Sequence, residues 1–108
     1  MPFGLSDKAI RDINDVLKQF PDVEEAVLYG SRAKGNFREG SDIDLTLKGE
    51  KLNLDMLNAI SWRLDDLLLP QRIDLSIYKH IKNPDLIEHI ERVGKALYKK
   101  AETLAPNR

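Results

Sequence analysis

Two short stretches of this chain alternate apolar and polar residues, and in both the polar positions carry carboxylates. Asp42-Ile43-Asp44-Leu45-Thr46-Leu47 and Ile73-Asp74-Leu75-Ser76-Ile77 have the period of two that a half-buried strand imposes, because successive side chains leave a strand on opposite faces. Asp42 and Asp44 then share one face, with Ile43, Leu45 and Leu47 on the other. Asp74 and Ser76 likewise oppose Ile73, Leu75 and Ile77. If the two strands belong to one sheet, three carboxylates lie together, and like charges that close repel unless cations are held among them. The fold must therefore bury one face of the sheet and leave the acidic face for another purpose.

A second pattern lies upstream. The apolar run Ala26-Val27-Leu28-Tyr29 reads as a strand that stops at Gly30-Ser31-Arg32, where a glycine permits a tight turn and close approach of backbone to a ligand. Phosphate suits such a turn: N–H groups at a helix start attract anions, Ser31 adds a hydroxyl donor, and Arg32 and Lys34 add positive charge. Gly30, Ser31, Arg32 and Lys34 are thus candidate phosphate or nucleotide ligands. Ten residues separate Ser31 from Asp42, and the carboxylates need a cation to face a phosphate held at the turn. The spacer includes Gly35-Asn36-Phe37-Arg38-Glu39-Gly40, rich in turn formers and read as a mobile loop over the site.

The remaining elements follow from caps and helical periodicity. Ser6 can cap a first helix in which Ile10, Ile13, Val16, Leu17 and Phe20 recur until Pro21. Asn53 can cap a second, with Leu57, Ile60, Leu64, Leu67 and Leu68 as its stripe, broken at Pro70. Asn83-Pro84 opens a third with Leu86, Ile87, Ile90 and Val93 inward and Gly94 as C-terminal cap. Ala96-Leu97-Tyr98 adds a short edge strand, and Thr103 to Arg108 reads as a frayed tail. The expected fold is α+β: a small mixed sheet with helices on one face and the carboxylates on the other. His80 and His89 have no metal-ligand spacing to each other and read as surface or helix-face residues. Trp62 falls off the main stripe, as a core-edge position.

At 108 residues the chain is expected to form one domain, residues 1–108, around one core. Its 42% hydrophobic and 32% charged residues are those of a globular protein rather than a disordered one. No apolar run approaches the roughly 20 residues that cross a bilayer, and Met1-Pro2-Phe3-Gly4-Leu5 has no leader character, so a cytoplasmic, membrane-free protein is expected. The chain has no cysteine, which excludes disulfides, thiolate metal sites and a cysteine nucleophile. A net charge of −1 gives no broad footprint for nucleic acid, although Arg32, Lys34 and Arg38 form a local positive cluster.

Gly30-Ser31, the ten-residue spacer, Asp42-Ile43-Asp44 and the later Asp74 resemble the signature of minimal nucleotidyltransferases in the polymerase-beta-like superfamily, with all three acidic positions present. Within that group the chain looks like the MNT-type partner of a HEPN protein, a pair described as antitoxin and toxin. The resemblance implies a polymerase-beta-like nucleotidyltransferase fold, ATP as substrate and two Mg²⁺ ions held by Asp42, Asp44 and Asp74 as catalytic carboxylates. Gly30, Ser31, Arg32 and Lys34 would bind the nucleotide. It further implies transfer of AMP to a tyrosine of a HEPN toxin, in a hetero-oligomer or homodimer. Two other readings remain open on the residues alone. The acceptor could be a small molecule, as for the aminoglycoside nucleotidyltransferases, which carry an added domain. The chain could also be a non-catalytic nucleotide-binding module that neutralises its partner by contact.

Overall fold

A computed structural model describes residues 1–101, and the expected tail from Thr103 lies outside the described residues. Each long helix begins where a side chain satisfies amide donors that have no partner in a first turn. The Ser6 hydroxyl accepts from Ala9 N at 3.0 Å to open α1, Asp7–Lys18. Asn53 Oδ1 accepts from Met56 N at 2.9 Å to open α3, Leu54–Asp65. Asn83 Oδ1 accepts from Asp85 N at 2.9 Å, with Pro84 at the first helical position of α4, Pro84–Val93. A five-residue helix, α2, Gly30–Lys34, follows β1, Glu25–Tyr29, without interruption. The other strands are β2, Ile43–Lys48, β3, Ile73–Ile77, and β4, Lys95–Lys99.

The strands form one sheet in the order β3-β2-β1-β4. β1 is antiparallel to both of its neighbours, whereas β2 and β3 run parallel, the crossover between them being made by α3. Alternation assigns the faces as expected. Ala26 and Leu28 of β1, with Ile43, Leu45 and Leu47 of β2, join the main core beneath α1 and α3 together with Ile13, Leu17, Ile60 and Leu64. A register shift in the β1–β4 pairing, between Ala26 and Val27, acts as a bulge. It lets two consecutive residues, Leu97 and Tyr98, both enter this core.

The expected small mixed sheet is present with α1 and α3 over one face, but the last helix, expected on that face too, packs on the acidic face instead. There Ile90 of α4 is buried against Val27 and Tyr29, flanked by Tyr78, Ile81 and Leu86. Gly94 ends α4 in an extended conformation, φ −59° and ψ 142°, rather than as a left-handed cap. Its role is closeness: a Cβ there would lie 2.4 Å from the Ile90 carbonyl oxygen and 2.6 Å from Val27 Cγ1. Absence of that carbon lets α4 sit directly on β1.

Leu68 departs from the expected stripe and Trp62 from the expected core edge, while Leu67 packs against the core. Leu67 and Leu68 donate to Leu64 O and Asp65 O in a tightened last turn, and Leu68 takes φ +55° to reverse the chain before Pro70. Leu68 therefore points outward, 87% exposed, and Trp62 is exposed on the outer face of α3 rather than at the edge of the core. A left-handed non-glycine residue costs roughly 1–2 kcal/mol. Leu68→Gly is accordingly expected to leave stability unchanged or raise it by up to about 1 kcal/mol, while Leu45→Ala, in the fully buried core, should cost about 2–5 kcal/mol. Urea melts of the two variants beside the parent check both signs.

Candidate active site

The sheet register assembles the acidic face. Tyr29 of β1 pairs with Asp44 of β2, and Asp44 pairs with Asp74 of β3, so phenol and carboxylates form one row across three strands. In the antiparallel β1–β2 pair such directly opposite residues have Cβ atoms about 4.5–5.5 Å apart. Asp42 stands two residues earlier than Asp44, just before β2 and exposed to solvent. The parallel β2–β3 pairing thus brings Asp44 and Asp74 together, as the alternating patterns implied. Behind this row Thr46 pairs with Ser76, and the buried Thr46 hydroxyl has no hydrogen-bond partner among the described residues.

Charge repulsion is visible in the acid–base behaviour of the row. Burial, then the neighbouring Asp74 and Asp42 carboxylates, push Asp44 above the usual carboxylate range, with a small opposing pull from His89. Tyr29 is raised as well, chiefly by burial; the nearby Ser76 hydroxyl pulls it back, and Asp44 and Asp74 raise it further. Its phenol is therefore protonated at neutral pH.

Gly30 brings the phosphate-type turn against this row. Its φ is +74°, and a Cβ at that position would lie 2.3 Å from Asp44 Oδ2. No other residue could occupy the position without moving the carboxylate. Ser31 follows it in α2, half-buried, and Lys34 is exposed at the end of that helix.

Arg32 corrects the expectation of a phosphate ligand or leaving-group contact. It is 2% exposed and spends its donors on backbone carbonyls. Nε and Nη2 donate to Ser41 O at 3.0 and 2.9 Å, Nη2 to Glu39 O at 3.1 Å, and Nη1 to Phe3 O at 2.9 Å. The Phe37 ring centroid lies 5.0 Å from the guanidinium carbon, within cation–π range. Because the carbonyl of Ser41 immediately precedes Asp42, Arg32 ties the turn to the start of the acidic strand. The glycine-bracketed loop is fastened by the same contacts, and by Arg38 N donating to Ser41 Oγ at 2.8 Å, so it is held rather than loose.

His89 was not legible as a site residue. Its Nε2 accepts from Gly30 N at 3.0 Å, and its ring meets Tyr29 edge-on, with centroids 6.2 Å apart. The one sequence signal was helical phase: His89 lies three residues after Leu86 and one before Ile90, at the border of the stripe that α4 turns to the sheet. His80 remains on the surface.

Comparison with known proteins places this architecture. The family model described as polymerase beta, nucleotidyltransferase, matches residues 11–103. The chain belongs to that family. No curated protein matches it in sequence. Among solved structures, one chain of a toxin–antitoxin complex with AMP-PNP superposes with a TM-score of 0.68 at 22% identity, covering 84% of this chain and 73% of that one. A toxin–antitoxin MntA-HepT complex gives 0.65 at 18% identity over 88% and 74% of the two chains. An MNT antitoxin in complex with the tri-AMPylated Shewanella oneidensis HEPN toxin gives 0.65 at 18% identity over 89% and 74%. At these identities the likeness is one of fold.

For a nucleotidyltransferase of this family the donor chemistry fits a hard divalent cation. Asp42, Asp44 and Asp74 offer oxygen alone, as Mg²⁺ prefers. Among the described residues no three acidic or imidazole side chains are already gathered into a metal cage.

Two outcomes follow. The raised Asp44 value means that its proton is held more tightly in the folded chain than in the unfolded one. Its stabilising effect is therefore present at low pH and is lost as pH rises from the ordinary carboxylate range through the raised value. In divalent-free buffer at pH 7, Asp44→Asn should melt a few degrees above the parent, with the gap closing in acid; an Asn variant that melts lower at pH 7 contradicts this. Arg32→Ala strands several carbonyls and should cost about 3 kcal/mol or more. Arg32→Lys should recover little of it, because one ammonium does not replace the planar fork; thermal melts of both variants measure the loss.

Proposed function

We propose that this chain is a minimal nucleotidyltransferase of the MNT type. In this reading the domain spans residues 1–108 and transfers AMP from ATP to a tyrosine of a HEPN-family toxin, acting in the cytoplasm as that toxin's antitoxin. The observation that carries the reading is the close approach of Gly30 to Asp44, with Asp74 beside Asp44 in register. Family membership supports nucleotidyl transfer. The choice of acceptor is supported by the neighbours, antitoxins seen with their toxins, one with AMP-PNP and one with an AMPylated toxin. No helix among the described residues is long and apolar enough to cross a membrane.

Asp42, Asp44 and Asp74 would hold Mg²⁺, which supplies charge neutralisation for the triphosphate and the departing pyrophosphate. The Ser31 hydroxyl donates to the terminal phosphates at the Gly30 turn, and the exposed Lys34 lies near enough in sequence to add positive charge there. Asp74, at the outer end of the row, accepts the proton of the incoming tyrosine hydroxyl. The phenolic oxygen then bonds to the α-phosphorus as the bond to the bridging oxygen breaks and pyrophosphate leaves. Asp44, held half-buried between Tyr29 and Asp74, keeps its orientation through the strand register. Arg32 acts from behind, fixing the backbone of Ser41 so that Asp42 enters the site at a set position.

The test uses purified protein, Mg²⁺ and α-labelled ATP incubated with lysate of the source cells, or with a HEPN protein expressed from the same locus. Proteins are then resolved on a gel. A labelled band at the mass of the HEPN protein is expected with the parent. Asp42→Asn/Asp44→Asn should lose it by roughly a hundredfold or more, since each tenfold corresponds to about 1.36 kcal/mol of barrier. Label on a small molecule instead would move the acceptor. A double variant that still neutralises the toxin without labelling it would show that contact alone suffices and overturn the catalytic reading.

A further inference from the structure

Fifty-nine residues separate Gly30 from His89, yet the amide of the first donates to the imidazole of the second at 3.0 Å. This bond falls at the most constrained point of the chain. The Tyr29–Gly30 peptide has the phenol of the carboxylate row on one side, and on the other a Cα so close to Asp44 that no Cβ fits. Rotation of that peptide would move Tyr29, Ser31 and the wall over Asp44 together. The imidazole is fixed in turn. Its ring is edge-on to Tyr29 at 78°, Ile90 beside it is buried on Val27 and Tyr29, and Gly94 seats the helix on Val27.

We infer that His89 is a positioning residue for nucleotide binding: its Nε2 lone pair fixes the peptide plane of Gly30, and so the orientation of the Gly30-Ser31 turn that receives the triphosphate. The inference rests on the function proposed above and adds to it a residue from the last helix. The hydrogen bond assigns the tautomer. Nε2 accepts, so the proton is on Nδ1. His89 touches neither the phosphates nor the reacting hydroxyl. It acts through Gly30, and its loss should weaken nucleotide binding in ground and transition states alike.

That distinction sets the experiment. His89→Phe keeps an aromatic ring against Tyr29 and removes the acceptor, whereas His89→Gln keeps an acceptor without the ring. In the AMP-transfer assay His89→Phe is expected to raise KM for Mg-ATP about tenfold, the equivalent of about 1.4 kcal/mol, with kcat within about threefold of the parent, the pattern of lost uniform binding. His89→Gln should recover most of the affinity. Equilibrium binding of Mg-AMP-PNP and hydrogen exchange of the Gly30 amide carry the test independently of transfer. His89→Phe should weaken AMP-PNP binding about tenfold and speed exchange at Gly30 by at least about tenfold, even if no acceptor is ever labelled and the transfer reading fails. Equal KM, equal AMP-PNP affinity and unchanged Gly30 exchange in His89→Phe would reduce His89 to a packing residue and overturn the inference. Should His89→Phe fail to fold, the parent still decides: a Gly30 amide that exchanges at the rate of an unprotected one overturns it.

Discussion

Everything on the acidic face depends on the parallel pairing of β2 with β3, which sets Asp44 directly beside Asp74. Adjacent like charges in a sheet work against folding, and here the penalty appears as an Asp44 carboxyl driven above its usual range by burial and by its two acidic neighbours. The opposite face of the same two strands offsets it. Ile43, Leu45 and Leu47 are wholly buried beneath the helices, and fully burying such a side chain contributes roughly 1.5–3 kcal/mol. A one-residue slip of β2 would exchange the two faces, placing carboxylates in the core and leucines in water. The register is thus specified by the core, and the site inherits it.

The second constraint is how the turn is held against that row. Gly30 alone can approach Asp44 so closely, but a glycine in a tight turn is also the most costly residue to order. Two side chains, one distant in sequence and one adjacent to the turn, absorb that freedom. His89 takes the Gly30 amide from the side of α4. Arg32, two residues after Gly30, binds the carbonyls of Ser41, Glu39 and Phe3. A guanidinium suits the second task because its rigid fork donates to several acceptors at once and stays charged in a buried setting. The N-terminal segment shares in this arrangement: Phe3 and Gly4 have positive φ, and a Cβ on Gly4 would strike the Phe37 ring. The loop between turn and carboxylates is therefore anchored at both ends and from beneath.

Much of this was legible in the sequence because it is local. Alternation gave Asp42, Asp44 and Asp74 their common face, and the caps at Ser6, Asn53 and Asn83 opened the helices where their side chains meet the first free amides. What was not legible is long-range or depends on direction. Arg32 looks in sequence like a cation beside a phosphate turn; only the fold reveals that Ser41, Glu39 and Phe3 surround it and that its donors are consumed. His89 reads as a helix-face histidine because its partner is a backbone amide, which leaves no mark in any side-chain pattern. Leu68 matched the helical stripe in phase, but the helix ends at Asp65, and at Leu68 the backbone turns left-handed, so phase no longer predicts direction. The glycines of the spacer read as freedom, whereas the guanidinium fastens the loop from below.

The sheet order also separates the two carboxylates that the register pairs. Asp44 lies on β2, with a strand on either side and Gly30 over it, and is half-buried. Asp74 lies on β3, which has a strand neighbour on one side only, and is exposed. In the proposed reaction these positions have different demands. The carboxylate that faces the triphosphate benefits from a surrounding of low polarity, in which its charge and the cation's act strongly on each other. The carboxylate that meets the acceptor must be reachable by a hydroxyl carried on another macromolecule, and a side chain at the margin of a sheet is approachable without opening the core. In that reading, the half-buried Asp44 serves the nucleotide side of the chemistry and the exposed Asp74 the acceptor side. The same geometry explains why the extra fastening by Arg32 and His89 is concentrated at Gly30 and Ser41 rather than at Asp74. In the proposed reaction, position is fixed where the nucleotide would be held, and access is kept where the acceptor would arrive.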